Sequence, residues 1–314
     1  MGFISDLTPV NIQEERKKFF SDFSYNPQFK YKKAIDRKIL TYYGLPKKHI
    51  FLHSKKMLQQ YPVPLKSKQV ETSTEEVNKL IKTVFYQLGL KQIPIYYSPK
   101  YIGQAKLGSK GLYFQTPILL SKEKIIGKIN HEIETHYLRR YNHDKQKLGK
   151  MAETPSFRKT EEGIATLHNY LFRKEKIMHK SYYHYYASYL ARTQSFSRIF
   201  AALKKFNLNE NFIWNIVVKK KRGLKDTSQA GGFTKDITYL EGAVLVWDWL
   251  INKANDPHLL YLGRLSLKQI NQIKNEIQIK DKKIIYPTFF KDIKKYLQEI
   301  KQIGNLNQFN NLIN

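Results

Sequence analysis

One long amphipathic run, which begins at Ser121, constrains the fold of this chain more than any other stretch. Ile125, Ile129 and Ile133 recur every four residues, and this period predicts a helix with one apolar face. Ser121 belongs to the residue types that cap helix N-termini, so we expect the helix to begin there. The chain must therefore cover the apolar side of this helix with a core, while the opposite side stays polar.

The polar side of this predicted helix carries His131, Glu132 and His136. Two neutral imidazoles and a carboxylate are the parts of a zinc hydrolase, because zinc needs nitrogen ligands and the attacking water needs a base. The spacing is H-E-x-x-x-H, one residue longer than in zincins. On a straight helix the two histidines would lie roughly 140° apart. A single π-bulge absorbs one residue, so we predict a bulge or kink between Ile133 and His136. An ordinary surface helix is the alternative.

A second predicted helix, in TEEGIATLHN, offers a third ligand. Thr160 is expected to cap this helix, and a carboxylate on a helix after the HE motif supplies the third zinc ligand in one large class of zincins. Glu162 is the favoured ligand and Glu161 the alternative. Gly163 costs about 1 kcal/mol in a helix relative to Ala, so its presence indicates close approach by another backbone. His168 points elsewhere on a regular helix and is expected to play a structural or supporting role.

Short strands are predicted between Ile93 and Leu120, just before the first helix. Residues Gly111 to Gln115 form the candidate strand for holding an extended substrate by β-augmentation. An ordinary small sheet is the alternative. Pro62 and Pro64 mark a linker, so we expect an N-terminal helical region of residues 1–66 and a catalytic domain of residues 67–314.

Composition narrows the chemistry of any metal site and the class of partner. The chain of 314 residues has no cysteine, so a metal must use His, Asp, Glu or water. Its net charge of +29 favours anionic partners, although a Lys-rich composition also follows from an AT-rich genome. No apolar run of membrane-spanning length and no signal peptide are visible in the sequence, so a cytoplasmic location is expected. Delivery into a host cell stays open.

Three motifs occur in a fixed order: H-E-x-x-x-H, EEGIA, and KRGLKDTSQAGGFTKDITYLEG. Together they resemble the microtubule-associated tyrosine carboxypeptidase family, whose bacterial members are known by a Gln-Glu-Gly-Leu-Ala motif. The resemblance extends from about Asn26 through the C-terminal helices. Glu161 and Ile164 stand where the bacterial motif has Gln and Leu, and neither departure touches Glu162.

The resemblance implies an α+β, mainly α-helical, zincin-like metallopeptidase with a small β-sheet beside the metal-binding helix. It implies Zn²⁺ bound by His131, His136 and Glu162, with Glu132 as the catalytic glutamate. The animal members remove the C-terminal tyrosine of α-tubulin. The resemblance does not transfer that substrate, since many members come from organisms without microtubules.

The expected function is therefore hydrolysis of a C-terminal peptide bond, with release of a terminal tyrosine. Arg222 and Lys235 are candidates for binding the substrate carboxylate, because it needs a cation. Tyr239 is a candidate for stabilising the oxyanion, or else a core tyrosine. The expected partner is an acidic polypeptide with a free C-terminus, an α-tubulin tail if the protein is in or delivered to a eukaryotic cell.

Other classes of function stay open on the sequence. A zinc endopeptidase of other specificity would still cleave substrates with a blocked C-terminus, which a carboxypeptidase would not. A basic nucleic-acid-binding protein would use its positive surface on phosphates, but the basic residues are spread along the chain rather than gathered in one module. A pseudoenzyme is disfavoured because all four zinc-site residues are present.

Overall fold

The computed structural model describes residues 6–63, 70–99, 101, 104–146, 153–273 and 284–313. The protein is α+β and mainly helical, as the sequence predicts. A zincin-like fold stays a prediction. Among the described residues the α-helices follow in this order: α1 (Ile12–Ser21), α2 (Lys48–Gln60), α3 (Thr74–Gln87), α4 (Lys122–His131), α5 (Leu138–Lys145), α6 (Pro155–Asn169), α7 (His179–Leu190), α8 (Phe196–Lys204), α9 (Glu210–Lys221), α10 (Ile237–Ile251), α11 (Leu267–Ile273) and α12 (Ile293–Leu306).

The chain divides into two compact units that are discontinuous in sequence. The first contains Met1–Lys66 and Met178–Leu240, and the second contains Ser67–Ile177 and Glu241–Asn314. The predicted catalytic domain of residues 67–314 stays a prediction, because compactness does not show which segments catalysis requires. Pro64, the second proline of the predicted linker, lies outside the described residues.

Aromatic side chains fill much of the core of the first unit. Phe19 contacts three rings of other helices, with ring-centre distances of 4.9 Å to Phe196, 4.8 Å to Phe200 and 5.3 Å to Trp214. The edge-on contacts with Phe196 and Phe200 suit the quadrupoles of aromatic rings, and all three contacts bind α1 to α8 and α9. A second cluster of this unit contains Leu7, Leu40, Tyr43, Leu224 and Phe233.

A three-stranded sheet belongs to the second unit, in the order β1 (Ile95–Ser98), β3 (Leu112–Gln115), β2 (Ala105–Leu107). β1 runs parallel to β3, and β2 runs antiparallel to it. The predicted strand at Gly111 to Gln115 thus exists, but the prediction that it binds substrate by β-augmentation is wrong. β3 is the central strand and both of its edges are paired, so in the described sheet only β1 and β2 offer edges.

Helix starts follow the capping residues, with one correction. Ser121 accepts a hydrogen bond from Lys124 N at the start of α4, as predicted. Ser73 likewise accepts one from Glu76 N at the start of α3. The prediction that Thr160 caps the EEGIA helix is wrong. This helix, α6, begins at Pro155, and Thr154 Oγ1 accepts from Phe157 N at 3.1 Å. Proline suits the first helical position because it lacks an N–H there.

The helix α6 is buried along most of its length, from Phe157 to His168. A Cβ on Gly163 would lie 2.3 Å from the carbonyl carbon and oxygen of Gly242 in α10. The close backbone approach predicted at Gly163 is therefore confirmed, since no larger side chain fits there without a shift. None of the helices in the described ranges combines the length and the apolarity that crossing a lipid bilayer requires.

Candidate metal centre

A π-helical segment, Glu132–Tyr137, joins α4 to α5 without a break. The bulge or kink predicted from the H-E-x-x-x-H spacing is thus confirmed as a π-helical turn. Thr135 Oγ1 donates to the Asn130 carbonyl at 2.7 Å, which satisfies a backbone oxygen in the widened turn. The extra residue brings both histidines to one side of the helix, where the Nε2 atoms of His131 and His136 lie 3.2 Å apart.

Glu162 completes a three-residue cluster with the two histidines. Its Oε2 lies 3.9 Å from His131 Nε2 and 3.7 Å from His136 Nε2. The potential ligand atoms of the three residues all lie within 4.8 Å of one another. The other oxygen of Glu162 accepts a hydrogen bond from Arg158 Nη1 at 3.3 Å, which orients the carboxylate.

The far ring nitrogens of both histidines already have partners. His131 Nδ1–H donates to the Ala165 carbonyl at 2.9 Å. His136 Nδ1 lies 3.0 Å from Glu161 Oε1, so its N–H donates to that carboxylate. These bonds set the tautomer that leaves each Nε2 lone pair directed into the cluster. Glu161 therefore binds His136 on the ring nitrogen that faces away from the cluster, and Glu162 is the carboxylate that faces the cluster.

The buried guanidinium of Arg139 holds Glu161 in place. Its Nε donates to Glu161 Oε2 at 2.8 Å and its Nη2 to the Leu265 carbonyl at 2.8 Å, and Nη1 donates to the Leu260 carbonyl. Burial acts to raise the pKa of Glu161, but Arg139 and His136 lower it below its ordinary value. The sequence reasoning missed Arg139. The only signal in the sequence is that Arg139 follows His136 by three positions, and this spacing does not identify Glu161 as its partner.

The cluster fits zinc on its donor atoms and on its spacing. Two nitrogen ligands of a tetrahedral zinc ion, each at about 2.0–2.1 Å, are separated by about 3.3 Å, close to the observed 3.2 Å between the Nε2 atoms. Burial and the neighbouring His136 lower the pKa of His131. Burial also opposes the charge on His136, but Glu161 and Glu162 raise its pKa to about 10. The carboxylates thus favour a positive charge between the two rings, which a metal cation would supply.

Glu132 points at the same cluster without being a member of it. Its Oε1 lies 3.8 Å from His131 Nε2, and its Oε2 accepts a hydrogen bond from Leu107 N in β2 at 2.8 Å. Burial raises the pKa of Glu132 above its ordinary value, so its carboxylate is a stronger base than an exposed one. Because Leu107 N bonds Glu132 rather than β3, the outer edge of β2 faces the cluster.

His168 supports the π-helical segment. The single hydroxyl hydrogen of Thr135 goes to Asn130 O, so His168 Nδ1–H donates to Thr135 Oγ1 at 2.7 Å. His168 Nε2 then accepts from the Tyr296 hydroxyl at 2.9 Å. Burial lowers the pKa of His168 to about 3, which agrees with a neutral ring bonded on both sides. The structural role expected for His168 is confirmed.

The three predicted substrate-binding and oxyanion residues lie in the first unit. The Arg222 guanidinium lies 4.6 Å from the centre of the Phe233 ring, and its buried Nε has no hydrogen-bond partner among the described residues. Burial lowers the pKa of Arg222. Lys235 Nζ lies 5.7 Å from the centre of the Tyr239 ring. The roles of Arg222, Lys235 and Tyr239 toward a substrate stay predictions.

A mainly helical α+β fold with a His–His–Glu cluster and an adjacent glutamate defines a candidate metal-dependent hydrolase. Residues 40–311 match the family model described as microtubule-associated tyrosine carboxypeptidase, and the chain belongs to this family.

Relatives in mammals match almost the whole chain. MATCAP2 of Mus musculus is 27% identical over 324 residues, which cover 97% of this chain and 62% of the relative. Microtubule-associated tyrosine carboxypeptidase 1 of Rattus norvegicus is 28% identical over 327 residues, which cover 96% and 68%. The corresponding human protein is 27% identical over 326 residues, which cover 96% and 67%. The chain thus spans less than two thirds of the length of mouse MATCAP2.

Proposed function

We propose that this protein is a zinc metallocarboxypeptidase that hydrolyses the C-terminal peptide bond of a polypeptide and releases a terminal tyrosine. The observation that carries the proposal is the convergence of His131, His136 and Glu162 beside Glu132, in a member of a family named for tyrosine carboxypeptidases. An acidic substrate tail, such as that of α-tubulin, suits the net charge of +29.

The residues present fit the roles that such a hydrolysis requires. His131, His136 and Glu162 would hold the zinc ion, which when bound polarises the scissile carbonyl and lowers the pKa of an attacking water. The Glu132 carboxylate takes the proton from this water and then delivers it to the amine of the departing tyrosine. The hydrogen bond from Leu107 N keeps one carboxylate oxygen fixed while the other faces the cluster.

The outer edge of β2 is the place where a substrate backbone would lie in this reaction. In an antiparallel pair, alternate residues direct their N–H and C=O groups away from the partner strand. Leu107 and Ala105 are such residues, and the Leu107 amide already reaches Glu132. An extended substrate paired along this edge would present its scissile bond to the Glu132 carboxylate. This assignment replaces the one made for β3.

Mass spectrometry of peptide products tests the activity. An acidic peptide ending in Glu-Tyr is incubated as the free acid and as the C-terminal amide, with the wild type and with Glu132→Gln. The proposal expects loss of one tyrosine from the free acid alone, and with the wild type alone. Cleavage of the amide would show an endopeptidase, and full activity of Glu132→Gln would remove Glu132 from the mechanism.

Metal content tests the zinc site independently of activity. The wild type and Glu132→Gln should each hold one zinc per chain after reconstitution and dialysis, since Glu132 is not a ligand. His136→Gln should lose it, whereas His258→Gln, a partly exposed histidine outside the cluster, should not. Protein without stoichiometric zinc in the wild type would refute the site.

Arg222→Ala tests the predicted carboxylate clamp. The change should raise KM or lower kcat/KM for peptides with a free C-terminal carboxylate, because a bidentate cation partner is lost. An equal loss on amidated peptides would mean that Arg222 does not bind the terminal carboxylate.

A further inference from the structure

The outer edge of β1 is an unused row of hydrogen-bonding groups at the opposite side of the sheet from β2. Leu112 N donates to the Pro94 carbonyl and Thr116 N to the Ser98 carbonyl, which fixes the phase of the parallel ladder. In this phase Ile95 and Tyr97 direct their N–H and C=O groups away from β3. Within the described ranges, none of these four backbone groups has a hydrogen-bond partner.

This free edge forms one wall of a groove of about 620 Å³. Ile93, Ile95 and Tyr97 line it from the sheet side, and Lys79 and Lys82 line it from α3. The Tyr97 hydroxyl donates to Asn78 Oδ1 at 2.8 Å, which ties the strand to the helix and keeps the two walls in register. The groove therefore combines an unpaired strand edge with a fixed helical wall.

The charges of the groove select the chemistry of an occupant. Lys79 and Lys82 are exposed, one helical turn apart, and none of the described residues that line the groove is acidic. Neither ammonium group has an acidic partner in the part of the chain that the structure describes. An extended segment with carboxylate side chains would pair its backbone with β1 and its charges with the two lysines.

We propose that this groove binds an acidic, extended segment of the polypeptide substrate, upstream of the residue that is cleaved. The inference rests on the proposed function for the identity of the occupant. Strands of a sheet lie about 4.8 Å apart, so a segment paired outside β1 lies four spacings, about 19 Å, from a segment paired outside β2. About six extended residues cover that distance, so one flexible tail can occupy the groove and still reach Glu132.

Fluorescence anisotropy of a labelled acidic peptide ending in Glu-Tyr amide measures this binding without cleavage. Lys79→Glu with Lys82→Glu should weaken binding by roughly tenfold, because two attractions become two repulsions. The matched control is Lys294→Glu with Lys301→Glu, which changes the net charge equally on exposed positions of α12 in the same unit. Equal weakening by both double variants would overturn the proposal, because it would show only a general charge effect.

N-methylation of the peptide tests the strand pairing without altering the protein. Two peptides are compared, one methylated on the even-numbered amides and one on the odd-numbered amides. One of them should bind weakly and the other nearly normally, because only alternate N–H groups of a paired strand face β1. Equal weakening by both methylated peptides would refute pairing of the peptide with β1. An oligodeoxynucleotide of equal charge that binds as tightly and with the same dependence on Lys79 and Lys82 would also overturn the proposal.

Activity separates this inference from the proposed function. The Lys79 and Lys82 double variant should raise KM for long acidic substrates and leave kcat/KM unchanged for a short substrate that cannot reach the groove. If no substrate is cleaved, the proposed function fails while the anisotropy experiment still reports on the groove. If the wild type cleaves normally and the double variant has the same KM for the long substrate, substrate binding in the groove is refuted and the proposed function stands.

Discussion

Replacing Glu161 with Gln should destabilise the second unit strongly, although the side chain keeps its size. The carboxylate accepts from His136 Nδ1 at 3.0 Å and from Arg139 Nε at 2.8 Å, one bond at each oxygen. An amide has a single acceptor oxygen, so one of the two donors loses its partner. Arg139 has no exposed surface, and removing the partner of a buried charge costs about 3–5 kcal/mol.

The same substitution should also weaken metal binding. Partners that orient a metal-ligating histidine contribute about 10–100-fold in metal affinity. The bond from His136 to Glu161 fixes the ring so that its Nε2 faces the cluster. We therefore expect a loss of zinc affinity in this range, measured by competition with a chromogenic chelator on folded protein.

Urea denaturation, followed by tryptophan fluorescence and far-UV circular dichroism, measures the loss of stability. Glu14→Gln is the matched control, because Glu14 forms a surface pair with Lys18 at 2.6 Å in which both side chains are about half exposed. This control should leave the unfolding midpoint nearly unchanged. If Glu161→Gln behaves like Glu14→Gln in stability and zinc affinity, the assignment of Glu161 as the buried link between Arg139 and His136 is refuted.

Two further predictions follow from the supports of the cluster. Gly163→Ala should lower the free energy of unfolding by about 1–2 kcal/mol net. A Cβ there would meet backbone atoms of Gly242, so overpacking costs the upper part of its usual range, about 2–3 kcal/mol, and the better helix propensity of Ala offsets about 1 kcal/mol of it. An unchanged urea midpoint would contradict the close contact. The pKa of His168 in the folded protein, about 3, lies below its ordinary value. Its contribution to the free energy of unfolding is therefore complete above pH 6.5 and is lost as the pH falls toward 3. The free energy of unfolding of the wild type should fall with pH between 6.5 and 3, and His168→Gln should reduce this slope by up to about 1.4 kcal/mol per pH unit. An unchanged slope would show that His168 is not buried as the neutral ring.

The sequence by itself determined the local features of the site. Position around a helix follows from residue count, so the five-residue spacing of His131 and His136 required an extra residue in the turn, and the structure has it. Caps depend on neighbours within three residues, so Ser121 was identified correctly. Gly163 likewise signalled a close helix contact, because Gly is otherwise costly within a helix.

Local rules failed where two of them competed. Thr160 and Thr154 are both cap-forming residues, and Thr154 begins the helix because Pro155 follows it. The helix therefore starts at Pro155, five residues before Thr160. Thr160 becomes a buried interior residue whose hydroxyl accepts from Leu267 N at 3.1 Å. That contact joins residues 107 positions apart in the sequence, so no residue near Thr160 could have predicted it.

Only the tertiary structure decided which groups meet across the second unit. Strand order depends on pairing rather than on composition, so the sequence identified β3 as a strand but not as the central one. Arg139 donates to carbonyls 121 and 126 positions away, and the Glu161 carboxylate balances its charge. No local pattern in the sequence predicts these partners. The choice of Glu162 over Glu161 as the carboxylate at the cluster follows for the same reason, because Glu161 is already bound by Arg139 and His136. Residue types and short spacings specify what chemistry is available, and long-range packing specifies which atoms carry it.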